Sequence, residues 1–355
     1  MLEQTPTVAA LTRATEPGTP AGTSHTGTTA TGNATGGARR TPNPLALAAL
    51  VAVAVVFVQA LLVPLFAGPA ANLAPRDLPV VVAGPASAAN AVAERLRAER
   101  PGAFEVTTVA DAGAADQALR DREAYAAFVV GPDGIALHTA SAASPAVAAL
   151  LTQAAAEAGG QADAGPVPIV DVVPADPDDP RGGGFAAGFL PLVMTSLMAG
   201  AALVLAARGR WARLTGLVAF ATLAGLVGAA VLQGWLGVLP GGYLAAASAI
   251  GLFSLAAAGI VAGLAAALGR PGIGLGALLV FVLGNPLSAV AAAPELLPQP
   301  WGEVGQWLPP GAGGTLLRSV AYFDGAGAGA AIAVLTGYAL VGLLLVLVGR
   351  ARLRH

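Results

Sequence analysis

At 355 residues the chain has the length of two or three soluble domains, but 55% of it is hydrophobic, only 11% is charged and its mean hydropathy is +0.71. Soluble chains carry about 25% charged residues, so these values exclude an ordinary soluble protein and indicate an integral membrane protein. All 18 basic residues are Arg and there is no Cys, which excludes a P-loop or Schiff-base lysine, disulfides, thiolate metal sites and thiol nucleophiles.

Residues 1 to 43 are rich in Thr, Gly, Ala and Pro without apolar periodicity and are predicted to be a disordered cytoplasmic tail. Residues 44 to 66 follow Arg39 and Arg40 and form the first predicted span, with an apolar run of about 22 residues that reaches about 33 Å as a helix. The run is longer than a signal-peptide core, and Ala67-Gly68-Pro69-Ala70 is a poor cleavage site, so an uncleaved anchor is expected. Thr41-Pro42-Asn43-Pro44 is the wrong sequel for a twin-arginine signal.

Residues 67 to 185 hold 15 of the 20 acidic residues against seven Arg, a local net charge of −8. Apolar runs and turn signals predict strands at Leu78 to Ala83, Phe104 to Val109, Tyr125 to Val130, Ile135 to Thr139 and Val167 to Val173. Helices are predicted between them at Ala86 to Arg100, Ala112 to Arg122 and Ser144 to Ala158, and Gly131-Pro132-Asp133-Gly134 marks a hairpin. Such alternation points to a small α/β domain. A Pro/Asp/Gly linker at 174 to 184 then leads to five more predicted spans, at about 186–207, 214–238, 243–268, 272–293 and 327–348. These make up a membrane domain over 186–350, followed by a short tail at 351–355.

The fold class expected is therefore an α-helical polytopic membrane protein of six spans, with an extracytoplasmic α/β domain between spans 1 and 2. Arg39 and Arg40, then Arg208, Arg210 and Arg213, then Arg270, then Arg350, Arg352 and Arg354 all fall on one side if every span crosses. By the positive-inside rule that side is cytoplasmic, which puts both termini inside and the acidic domain outside. The six spans as bounded contain no Asp, Glu, Arg or His, which disfavours ion-coupled carriage, since that needs a titratable group near the midplane. Their neutral polar residues, among them Gln59, Thr195, Ser196, Gln233, Ser254 and Ser288, are expected to bond neighbouring helices. Gly259/Gly263, Gly272/Gly276 and Gly325/Gly329 have the spacing of close helix contacts. His25, His138 and His355 share no metal-ligand spacing. The segment from 294 to 326 carries Pro294-Glu295-Leu296-Leu297-Pro298, Trp301, Glu303, Trp307-Leu308-Pro309-Pro310 and Arg318. Interfacial aromatics and helix-breaking prolines suggest a re-entrant or interface-lying element there, or a simple anchoring loop.

This layout resembles the membrane subunit of type-2 ATP-binding-cassette exporters and the related phage-infection-protein-like membrane proteins, over about residues 44 to 350. The pieces that carry the resemblance are Leu78-Pro79-Val80-Val81-Val82, Phe128-Val129-Val130-Gly131-Pro132, Pro294-Glu295-Leu296-Leu297-Pro298 and Trp307-Leu308-Pro309-Pro310. The resemblance implies a dimeric permease that moves lipids, drugs or polymers outward, driven by a separate cytoplasmic ATPase. The apolar lining without fixed charge points to a hydrophobic or amphipathic substrate, and a homo- or heterodimer in a bacterial cytoplasmic membrane, in contact with lipids, is expected. The resemblance implies no covalent chemistry, cofactor, metal or nucleic acid. Asn285, Pro286, Glu295, Glu303 and Arg318 are the candidate functional residues, and Arg210 and Arg213 the candidate contacts for the ATPase. The loop from Arg208 to Arg213 is short for a docking helix, and the tail lacks an apolar stripe. An alternative is therefore a membrane-anchored surface protein whose α/β domain recognises a ligand without ATPase coupling. A membrane enzyme ranks third, since Asp111, Asp116 and Asp121 have the spacing of a solvated helix face.

Overall fold

An apolar helix of about 20 residues satisfies its own backbone and matches the thickness of a bilayer. The computed structural model, which describes residues 44–161 and 166–349, contains six helices long and apolar enough to cross a membrane among those residues. They are α1 (Pro44–Ala71), α5 (Gly183–Ala206), α6 (Arg210–Ala229), α7 (Tyr243–Leu268), α8 (Arg270–Ala277) with its continuation, and α12 (Gly329–Val348). α6 runs on as a π-helical stretch, Ala230–Trp235. α8 runs through another, Leu278–Leu283, into the short α9 (Gly284–Leu287). The predicted tail at 1–43 with Arg39 and Arg40, the residue Asp163, and the terminal Arg350, Arg352 and Arg354 lie outside the described residues.

The fifth span is shorter than predicted. It ends at Leu287 instead of residue 293, because Ala289 adopts a positive φ of 54° and the chain turns out of the helix.

Five strands form one mixed sheet: β1 (Leu78–Ala83), β2 (Phe104–Val109), β3 (Ala126–Gly131), β4 (Gly134–Thr139) and β5 (Ile169–Asp171), in the order β2-β1-β3-β4-β5. β1 pairs parallel with β2 (Val80↔Val106) and with β3 (Val80↔Ala126); β3 and β4 form the expected antiparallel hairpin. α2 (Ala86–Glu99), α3 (Ala112–Arg120) and α4 (Pro145–Gln161) complete this α/β unit.

β1 is buried on both faces, as its continuous apolar run requires. Leu78, Val80 and Val82 enter one core with Ala89, Ala93 and Val147, while Val81 and Ala83 enter another with Ala115 and Leu119. Each core is completed from the far end of the chain: Leu296 and Leu297 join the first and Phe323 the second.

In the helical part, α7 packs against α5, α6, α8, α11 (Pro309–Tyr322) and α12 and is the central helix. It is built largely of Ala and Gly and is buried almost all round, as expected of a helix apolar on every face. Small residues let the backbones approach: a Cβ on Gly342 of α12 would lie 2.3 Å from the Gly259 carbonyl carbon. Gly259/Gly263 and Gly272/Gly276 both sit at such contacts. Gly325 and Gly329 do not; a Cβ at either meets nothing within 4 Å, and Gly325 is a turn residue with φ 89°.

The ends of the helices sort themselves. Arg210, Arg213 and the last residues of α12 border one pocket, and Gly349 approaches the Ala266 carbonyl near the end of α7. At the opposite end Gly237 lies beside Asp178, and the Gly241 backbone approaches Ala321, next to the sheet. Several of the neutral polar side chains in and beside the spans bond their own helices, not their neighbours, while Gln233 donates to the Pro240 and Gly241 carbonyls of the following loop. Thr195 donates to the Pro191 carbonyl, Ser196 to Leu192 and Ser288 to Asn285. Ser254 is buried with no partner.

Candidate functional site

The segment between α9 and α12 is the structurally unusual part of the chain. Pro294–Leu296 forms a single 3-10 turn, α10 (Trp301–Gln306) follows, and Pro309 and Pro310 open α11 at its first positions, where their missing N–H groups have no helical partner in any case. α11 is buried over most of its length although it is not among the apolar spans. Its first turn meets Gly284 of α9 through Pro310, and Gly313 packs on Phe253 of α7 and Phe189 of α5. Its far end reaches the α/β unit through Phe323. α11 therefore folds back among the helices, while α10 lies at the surface with Trp301, Glu303 and Val304 exposed.

Two backbone bonds and one from a side chain hold the start of this segment to the stretch after α1. The Ala74 amide donates to Leu296 at 3.1 Å, the Arg76 amide to Glu295 at 2.9 Å, and the Arg76 guanidinium to Leu296 at 2.7 Å.

Where this insertion meets the α/β unit, polar side chains gather around a cavity of about 270 Å³ lined by Arg122, Tyr125, Glu295, Gln306, Thr315 and Arg318, among others. Arg122 directly follows α3 and its C-cap Asp121, in the left-handed conformation with φ 60°, which swings its side chain toward α11. Its guanidinium donates to the Thr315 carbonyl at 3.2 Å and to the Ser319 hydroxyl, and lies 5.3 Å from the Phe323 ring centroid. The Tyr125 hydroxyl donates to Glu295 Oε2 at 2.9 Å. Arg318, only 7% exposed, donates to the Val290 carbonyl at 2.8 Å and stacks over Phe185 at 4.8 Å. Gln306 accepts from Thr315 at 2.7 Å and donates to the Ser288 carbonyl at 3.2 Å.

Burial governs the titration of this cluster. It raises the Glu295 carboxyl above the ordinary glutamate value, against the opposing effects of its hydrogen bonds and of Arg122. It also raises the Tyr125 phenol, which therefore stays protonated and remains a donor. Burial lowers Arg122, with Tyr125 and Glu295 pulling it back up; a guanidinium remains charged throughout the physiological range. Neither Arg122 nor Arg318 has a carboxylate within ion-pair distance: the ion pairs among the described residues are Arg95–Glu99 and His138–Asp116.

A second cavity adjoins the first. It has a volume of about 720 Å³, is largely apolar, and runs along α12 past Ala333, Val334, Gly337 and Val341, with Ile260 and Trp307 on its other walls. Gln306 and Ala330 line both cavities.

Of the residues singled out from the sequence, Glu295 and Arg318 come together at the polar cavity. Asn285 and Pro286 lie in α9, half-buried, and line a third cavity of about 160 Å³ that also involves Phe66, Pro69 and Leu73 and shares Ser288, Ala289 and Val290 with the polar one. Glu303 is exposed on α10. Arg210 is exposed and lies 5.9 Å from the Trp211 ring centroid. Arg213 turns back on the end of α5 and donates to the Ala207 and Val204 carbonyls at 3.2 and 3.1 Å. Arg122, Tyr125, Gln306, Thr315 and Ser319 were not foreseen, and no spacing in the sequence sets them apart. Among the described residues no group of three His, Asp or Glu side chains has a metal-binding arrangement.

No family model, no curated protein and no solved structure matches the chain. The class of protein that the fold defines is a mostly helical one with six helices suited to crossing a membrane and a small mixed α/β sheet.

Proposed function

We propose that the chain is the permease subunit of an exporter in a bacterial cytoplasmic membrane, moving a hydrophobic or amphipathic substrate with energy from a separate ATPase of the ATP-binding-cassette type. One observation carries the reading: a shortened, π-interrupted fifth span followed by an inserted helix, α11, buried among the others. Membrane transporters build substrate paths from such discontinuous helices, and irregular backbone at depth is tolerated where it is buried in protein or lines a cavity. The scarcity of charge in the spans, confined to Arg210, Arg213 and Arg270 in first turns among the described residues, suits an apolar cargo. The arginine-bearing connections share one end of the bundle while the α/β unit lies at the other, which supports cytoplasmic termini and an extracytoplasmic α/β unit.

A different observation favours a second reading. Only residues 207–209 separate α5 from α6, and Arg213 is occupied with α5 carbonyls, so that end offers little for an ATPase to grip. The alternative is a surface protein whose α/β unit recognises a ligand while the helices anchor it. The test is extraction of the tagged full chain from its native host in mild detergent. The exporter reading expects a stoichiometric ATPase polypeptide, lost in Arg210→Glu. Repeated absence of any ATPase, together with ligand capture that disappears when residues 86–173 are deleted, overturns it.

A further inference from the structure

The two adjoining cavities differ in chemistry in a way that describes one ligand. The polar one presents two guanidiniums, the half-buried Arg122 and the buried Arg318, against a single carboxylate, Glu295, whose Oε2 already accepts from Tyr125. Arg318 has five N–H donors and spends them on one protein acceptor, the Val290 carbonyl. A buried cation without a carboxylate partner is costly unless an anion completes it. The apolar cavity starts where the polar one stops, at Gln306 and Ala330, and follows α12 for about three turns, from Ala330 to Val341. Trp307, 70% exposed, stands at its wall, the kind of side chain that settles at the boundary between headgroups and hydrocarbon. Among the described residues nothing fills this groove: a Cβ on Gly337, which lines it, meets no atom within 4 Å.

We propose that the two cavities form one site for an anionic membrane lipid, with its phosphate headgroup between Arg122 and Arg318 and an acyl chain in the α12 groove. A planar guanidinium pairs with phosphate through parallel N–H···O bonds, which a zwitterionic headgroup offers at lower net charge. The apolar volume lies within the range of sites that hold a small amphiphile, and its few polar groups sit at one end, as orientation of such a ligand demands. The site stands whether the chain exports the lipid or only holds it, and needs no ATPase.

The test is native mass spectrometry of the purified full chain titrated with phosphatidylglycerol, with phosphatidylcholine and with inorganic phosphate. Phosphatidylglycerol is expected to bind at least tenfold more tightly than phosphatidylcholine, and inorganic phosphate not to compete at equal concentration. Gly337→Phe fills the groove from a position with open space around it and should weaken phosphatidylglycerol about tenfold while the protein stays monodisperse. Arg318→Gln should abolish the preference between the two lipids. Equal binding of the two lipids by the wild type, full competition by inorganic phosphate, or an unchanged affinity in Gly337→Phe would each overturn the proposal. The exporter reading is judged separately, by the ATPase that does or does not co-purify.

Discussion

Two glycines on α12, five residues apart, should respond oppositely to the same change. A Cβ added at Gly342 would lie 2.3 Å from the carbonyl carbon of Gly259, 2.5 Å from its oxygen and 2.6 Å from the Ile260 nitrogen. All three are backbone atoms of α7, so no side chain can swing away. Ordinary contact starts at 3.4 Å, and α12 must therefore withdraw by about 1 Å, a gap that forfeits up to about half of each dispersion contact along the seam. The seam is long, since Gly263 in turn lies against Gly342 and Leu345. Overpacking of this kind costs about 1–3 kcal/mol, and the better helix propensity of Ala returns at most about 1 kcal/mol. Gly342→Ala is thus expected to destabilise the protein by about 1–2 kcal/mol. Gly337→Ala, with nothing within 4 Å, should keep only the propensity gain and be neutral or slightly stabilising. Steric trapping in detergent micelles, or the fraction surviving as a monodisperse peak after heating, measures both. If the two variants shift in the same direction, close backbone approach is not what seats α12 on α7.

Three further expectations follow from single contacts. Because burial raises the Glu295 carboxyl, the folded protein holds that proton more tightly than the unfolded chain does. Stability is therefore full below the ordinary glutamate value and falls as pH rises through the raised one. Glu295→Gln should remove that decline while its amide oxygen still accepts from Tyr125; thermal unfolding at about pH 5 and about pH 8 checks it, and equal slopes in both proteins refute it. Asp179 Oδ2 accepts from the Phe185 amide at 2.7 Å in the first turn of α5, so Asp179→Ala, which leaves that amide without its acceptor, should cost about 1–2 kcal/mol, read by the same thermal assay; an unchanged midpoint denies the contact its role. Ser87→Cys in α2 and Ala212→Cys in α6, both exposed positions, should differ in intact cells: an impermeant maleimide labels the first and not the second, and the reverse pattern inverts the proposed orientation.

Much of the fold was legible because each element carries its own signal. The strands β1 and β2 lie where their apolar runs put them, and the hairpin of β3 and β4 turns at Gly131-Pro132-Asp133-Gly134. The long spans were visible as apolar length alone. The end of the fifth span was not, because residues 288–293 are as apolar as those before them and the break depends on the backbone at Ala289. Nor was the polar site. Glu295 and Arg318 stand out in the sequence as charges in an apolar region, but Arg122 looks there like any basic residue ending a surface helix. Its role rests on a left-handed backbone and on contacts to Thr315 and Ser319, 193 and 197 residues away. Local pattern carries no information about partners that distant.

The distribution of charge ties these observations together. Ionisable groups are costly in hydrocarbon and survive there only where they are paired or put to use. The six spans avoid that cost by having almost none: among the described residues their charged groups, Arg210, Arg213 and Arg270, stand in the first turns of α6 and α8. The inserted helix α11 takes the opposite course. It carries Arg318 into a position 7% exposed, faces Arg122 from the α/β unit, and places both beside a cavity where one carboxylate stands against two guanidiniums. Packing alone does not require this, since an apolar residue at 318 would fill the space against Phe185 without the desolvation cost of a guanidinium. A charge kept where the fold does not need it is best accounted for by something that binds it, and the groove that leads away from it along α12 gives that ligand its second half.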